Sequence, residues 1–118
     1  MMVSPEKNKK VGRRHVRAPL ALYINKIIGD EPHLALGRDI SPGGIFIYKL
    51  LEPQARVDGD EVGLEFKLPC ASDIIWATGK IVREETDGRG TGIRFVRIAE
   101  HDRKLISDYV ARYGEQTA

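Results

Sequence analysis

Between residues 61 and 68 the chain reads EVGLEFKL, and apolar and polar side chains alternate without a break. Val62, Leu64, Phe66 and Leu68 fall on one side of an extended backbone, and Glu61, Glu65 and Lys67 on the other. That is the period of a strand with one buried face. Other stretches carry the same signature less cleanly. APLALYINKII (18–28) is rich in β-formers and stops at Gly29-Asp30. HLALGRDI (33–40) sets Leu34, Leu36 and Ile40 at the spacing of one face, and GIFIYKLL (44–51) is a short, mostly apolar run. DIIWATGKIVREE (73–85) is long enough for a bent strand with a bulge or bend at Gly79, and GTGIRFVRI (90–98) makes a sixth. Asp58-Gly59 and Asp87-Gly88 read as turns.

The period changes after residue 98. In EHDRKLISDYVARYG the apolar residues Leu105, Ile106, Tyr109, Val110 and Tyr113 recur at helical spacing, and Gly114 reads as the stop. Six antiparallel strands followed by one amphipathic helix predict an all-β-dominated domain, a small closed or nearly closed barrel capped by the C-terminal helix.

Composition bounds this picture. A chain of 118 residues with 42% apolar and 31% charged residues suits one globular domain with a single core. No apolar run approaches the roughly 18 residues a membrane helix needs, and no apolar segment follows the charged N-terminus as a secretory signal would require. Cys70 is alone, so neither an internal disulfide nor a cysteine metal cluster is available. These features predict a cytoplasmic protein without membrane insertion. Charge is divided unevenly. Residues 1–17 carry Lys7, Lys9, Lys10, Arg13, Arg14 and Arg17 against Glu6, a net +5, so the remainder of a +2 chain carries −3. A basic arm precedes a mildly acidic body, and such an arm is either a solvated tail or a grip for a polyanion.

Catalysis finds little support. His15, His33 and His101 share no spacing that would build a site, and no paired metal-ligand motif occurs. Ser41 stands in D-I-S-P-G, a turn rather than a nucleophile elbow. GRGTG (88–92) follows a hairpin signal and opens no helix, which argues against a dinucleotide loop. The expectation is a protein that is not an enzyme, with no catalytic or metal-binding residues and no cofactor.

Two stretches suggest binding. In GRRHVR (12–17), Arg13, Arg14 and Arg17 offer guanidinium groups, which pair with phosphate oxygens, pair with the O6/N7 edge of guanine, and stack on base planes. In GRDISPGGIFI (37–47), Pro42-Gly43 account for a bend between strands, but Asp39 and Ser41 exceed what a turn needs. A carboxylate accepts hydrogen bonds from adjacent N–H donors such as those at N1 and N2 of guanine, and a hydroxyl with free backbone N–H groups can meet a base edge or a phosphate.

Taken together, Arg13-x-x-x-Arg17 before the first strand and Asp39-x-Ser41-x-x-Gly44 some twenty residues later resemble the PilZ domain family. The runs VDGDEVGLEFKLP (57–69), GKIVRE (79–84) and GTGIRFVRI (90–98) also look like that family, so the resemblance covers nearly the whole chain. It implies a six-stranded antiparallel PilZ-type β-barrel over residues 13–118, preceded by a flexible basic arm at 1–12, that binds the bacterial second messenger cyclic di-GMP. Carried over by position, Arg13 and Arg17 would bind guanine and phosphate with Arg14 assisting, Asp39 would read a guanine edge, and Ser41 and Gly44 would support the ligand and let it approach closely. Arg38 adjoins the turn and ranks low as a contact.

The resemblance further implies a stand-alone receptor or adaptor whose arm orders on the ligand and which acts in trans on an effector protein. Two alternatives stay open. One is a nucleotide-blind PilZ-like interaction module for motility or secretion machinery. The other is a small-barrel nucleic-acid-binding protein, disfavoured because the body is acidic and because Trp76, Tyr23 and the few other aromatics are expected in the core or at its rim.

Overall fold

The turn signal at Gly29-Asp30 closes the first hairpin. The computed structural model describes residues 16–50, 61–69, 71–86 and 89–116. Its elements are β1 (Val16–Pro19), β2 (Tyr23–Ile28), β3 (Glu31–Ser41), β4 (Gly44–Lys49), β5 (Glu61–Phe66), β6 (Ile75–Glu84), β7 (Gly90–Ile98), α1 (Glu100–Tyr113) and β8 (Glu115–Gln116). The expected turns at Asp58-Gly59 and Asp87-Gly88, and Cys70, lie outside the described residues. Gly29 takes φ 61°, in the left-handed region where a Cβ crowds the following carbonyl. Gly29→Ala is therefore expected to lower stability by about 1 kcal/mol, seen as a lower urea midpoint at unchanged slope. An unchanged midpoint would contradict that reading of the turn.

Six strands close a ring in the order β2-β5-β6-β7-β4-β3, with β3 returning to β2, and every pairing is antiparallel. The expected barrel is present, with two short additions. β1 pairs with the far end of β3 (Ala18↔Ile40, Pro19↔Asp39), and β8 pairs with β1. The stretch 18–28, read from sequence as one strand, is thus two strands that share the edge of β3. Across the break at 20–22, Leu20 N–H donates to the Arg38 carbonyl at 2.9 Å and Gly37 N–H to the Leu22 carbonyl at 2.8 Å. Gly79 sits at a register shift between β6 and β7, where the bend was expected.

The alternation in β5 holds: Val62, Leu64, Phe66 and Leu68 are all buried in the barrel core. In β3 it does not. Leu34 is 50% exposed, Leu36 is only half-buried, and the inward residues are Ala35 and then Ile40. An irregularity between Gly37 and Asp39 adds a residue and reverses the parity of the strand beyond it. The expectation that Trp76 and Tyr23 fill the core or its rim also fails, since they are 56% and 65% exposed on the outer surface.

Helix α1 buries Ile106 and Val110, with Leu105 and Tyr109 packed beside them, as the apolar stripe predicted. Gly114 ends it at φ −74°, so left-handed freedom is not what the position requires. A Cβ there would stand 2.3 Å from the Val110 carbonyl oxygen and 2.7 Å from Cγ1 of Val16, so the last turn of the helix and β1 leave no room for one. No helix among the described residues is long and apolar enough to cross a membrane.

Candidate functional site

The irregularity in β3 builds the site. Gly37 opposes Ile47 and Asp39 opposes Phe46, so Arg38 is the extra residue of a β-bulge. Arg38 and Asp39 consequently reach the same outer surface. One Asp39 oxygen accepts from Arg17 Nε at 2.6 Å and the other from Arg38 Nε at 2.8 Å. The Arg38 guanidinium lies 3.7 Å from the centre of the Phe46 ring and has Glu85 at 3.6 Å. Burial works against the charge on Arg38, but hydrogen bonds to Asp39 and Tyr48 and the charge on Asp39 outweigh it and leave its pKa raised. Arg38 is therefore a fixed cation whose main contact is the motif carboxylate it orients.

Strand register extends the surface. Residues opposite one another in an antiparallel pair share a face, so Asp39↔Phe46, Phe46↔Gly92 and Gly92↔Arg83 form one row across β3, β4, β7 and β6. Ser41↔Gly44, Gly44↔Arg94 and Arg94↔Lys80 form the next row. Phe46 is 1% exposed, yet its ring lies outside the inner core, beneath Arg38 and with the Arg83 guanidinium 5.2 Å from its centre.

The turn between the rows is held from both sides. Pro42 and Gly43 connect Ser41 to Gly44 without a positive φ. Phe95 N–H donates to the Gly43 carbonyl at 2.9 Å, and Arg103 Nη1 of α1 to the Pro42 carbonyl at 2.9 Å. The same helix reaches β1, where the Tyr109 hydroxyl donates to the Pro19 carbonyl at 2.9 Å. One helix thus contacts both the 42–43 turn and β1, the strand that carries Arg17. Gly44 has a packing reason of its own: a Cβ would lie 2.3 Å from the Ile93 carbonyl oxygen and 3.3 Å from the Arg94 Cα. Close approach of the β7 backbone, rather than turn flexibility, explains this glycine.

Of the six residues picked from sequence, Arg17, Asp39, Ser41 and Gly44 come together here, while Arg13 and Arg14 lie outside the described residues. Arg17 sits within β1. Arg38, ranked low from sequence, is bonded to Asp39. Phe46, Arg83 and Arg94 were missed, because only strand order and register bring them to Asp39. Arg17, Ser41, Gly44 and these residues line an open groove of about 1010 Å³. Its floor is apolar at Ile93 and Phe46, and four arginines (17, 38, 83 and 94) surround it. A flat apolar ring system bearing negative charge suits such a lining. Among the described residues no group of three or more His, Cys, Asp or Glu could hold a metal ion.

The sequence pattern of the PilZ domain matches residues 12–112. No curated protein matches the chain in sequence. Among solved structures the fold is similar to MotI/DgrA, the inhibitor of motility of Bacillus subtilis, with TM-score 0.74 and 23% identity over 92% of this chain. The chain spans only 56% of that protein. It is also similar to the PilZ domain of YcgR from Escherichia coli, solved with c-di-GMP, with TM-score 0.65 and 12% identity over 86% of this chain and 90% of that one. At these identities the likeness is one of fold.

Proposed function

Because the chain belongs to the PilZ domain family, we propose that it is a receptor for cyclic di-GMP, not an enzyme, and that the ligand lies in the groove between β1 and the outer face of β3, β4 and β7. The observation that carries this is Asp39, held between Arg17 and Arg38 at 2.6 and 2.8 Å. A carboxylate has about four lone-pair sites, so each oxygen can accept a further N–H without releasing its arginine. Guanine offers two such donors side by side, at N1 and N2. Arg17 then stands beside the bound base, where a guanidinium can meet a phosphate oxygen or stack. Ser41, buried at the end of β3, lies one pleat farther along the same face. The fold likeness to a YcgR domain solved with c-di-GMP supports the choice of ligand.

The proposal extends to the arm. Residues 1–17 carry a net +5, and a dianion in the groove would draw Arg13 and Arg14 onto the barrel and change the surface presented to an effector protein. Amide hydrogen exchange over residues 1–15 is expected to slow on ligand addition; equal exchange with and without ligand would contradict the switch.

Titration calorimetry with cyclic di-GMP tests the receptor reading. Saturable binding by the intact chain is expected, weakened about tenfold or more in Arg17→Ala, which removes a charged donor. Absence of binding would overturn it and favour the nucleotide-blind alternative. The nucleic-acid alternative fits the surface poorly. The exposed Trp76 is paired across strands with Glu65, and it lies six residues along β6 from Val82 at the groove, about 20 Å by strand rise. Trp76 therefore stands apart from the four arginines of the groove, and the arginines near it, Arg97 and Arg103, line a separate depression.

A further inference from the structure

Two guanidiniums share the Phe46 ring, and their surroundings differ. Arg38 is engaged by carboxylates, with Asp39 at 2.8 Å and Glu85 at 3.6 Å. Arg83 and Arg94 have no carboxylate partner among the described residues, although both are exposed and both line the groove. Arg83 sits 5.2 Å from the Phe46 ring, a cation–π distance, and Arg94 projects from β7 opposite Gly44. Between Arg83 and Phe46 the row contains Gly92, which is buried where the two side chains close over it. A Cβ there would lie 3.6 Å from the Arg83 Cβ and 3.7 Å from the Phe46 ring.

We infer that Arg83 and Arg94 are a second anion grip on the barrel wall, taking a phosphodiester of the ligand across the groove from Asp39 and Arg17. The inference rests on the cyclic di-GMP reading and deepens it. A ligand with two phosphodiesters requires two cationic centres. One is formed by the arginine of β1 beside Asp39, and the wall supplies another that neither sequence motif contains. An arginine already bonded to a carboxylate gives up part of its attraction for phosphate, whereas one resting on an aromatic ring keeps its N–H donors outward. Arg83 and Arg94 thereby become affinity-determining residues outside the two sequence motifs.

Calorimetry with cyclic di-GMP at two salt concentrations tests the assignment on the intact chain and on Arg83→Ala, Arg94→Ala and Arg83→Lys. Each alanine variant is expected to keep its melting temperature, since both side chains are exposed, and to bind about tenfold to a hundredfold more weakly with a shallower dependence on salt. Arg83→Lys is expected to keep the salt dependence and recover part of the affinity. If the unsubstituted chain binds and both alanine variants match it within about twofold, or lose affinity with unchanged salt dependence, the wall grip is wrong while the receptor reading stands. If the unsubstituted chain does not bind, both are wrong.

Discussion

Replacing Asp39 by alanine is expected to weaken cyclic di-GMP binding by at least about a hundredfold, since two charge-assisted hydrogen bonds of about 1.5–3 kcal/mol each are lost. Selectivity should fall with it. Adenine carries an acceptor at N1 where guanine carries a donor, so the carboxylate is the group that tells the bases apart. In Asp39→Ala, cyclic di-GMP and cyclic di-AMP should bind with similar, weak affinity, because Arg17 and Arg38 still attract phosphate. The variant should fold. Asp39 lies on the outer face, and loss of its two partly exposed ion pairs costs about 1 kcal/mol or less each. Competition calorimetry with the two cyclic dinucleotides checks this, with circular dichroism as the control for folding. Retained preference for guanine in the variant would show that another group reads the base.

Gly44→Ala is expected to act on the fold rather than on the ligand. The new methyl would meet the Ile93 carbonyl oxygen at 2.3 Å, and that oxygen belongs to the backbone of the neighbouring strand, so β4 and β7 must part at the turn. Overpacking of this kind costs about 1–3 kcal/mol, a fall in melting temperature on the order of 5–15 °C. Gly92→Ala provides the contrast: its methyl meets neighbours at ordinary contact distances and should melt close to the unsubstituted chain. Equal melting temperatures for Gly44→Ala and the unsubstituted chain would contradict the packing account and return Gly44 to a role in ligand approach.

The contrast between these glycines marks where sequence reading stops. A strand with one clean alternation, such as 61–68, declares its buried face because every second side chain must leave water. The helix does so through Ile106 and Val110. Strand 31–41 does not, since a single extra residue at Arg38 reverses which side chains face inward, and nothing in HLALGRDI marks that insertion. The site divides in the same way. Asp39 and Ser41 stand out because a turn does not need them, and Arg17 because charge gathers near it. Phe46, Arg83 and Arg94 look like ordinary strand residues; they join the site through a ladder of pairings across four strands, which no local pattern encodes. Gly44 was visible as a motif position, but its cause, the Ile93 carbonyl on another strand, was not.

The account is tested most directly by following the backbone amide resonances of the intact chain during titration with cyclic di-GMP. It predicts saturable shifts at Arg17, at Asp39 to Ser41, at Gly43 and Gly44 and at Gly92, with little change around Glu65 and Trp76 on the remote face. No shifts at saturating ligand, or shifts centred on Trp76 and Tyr23, would contradict it.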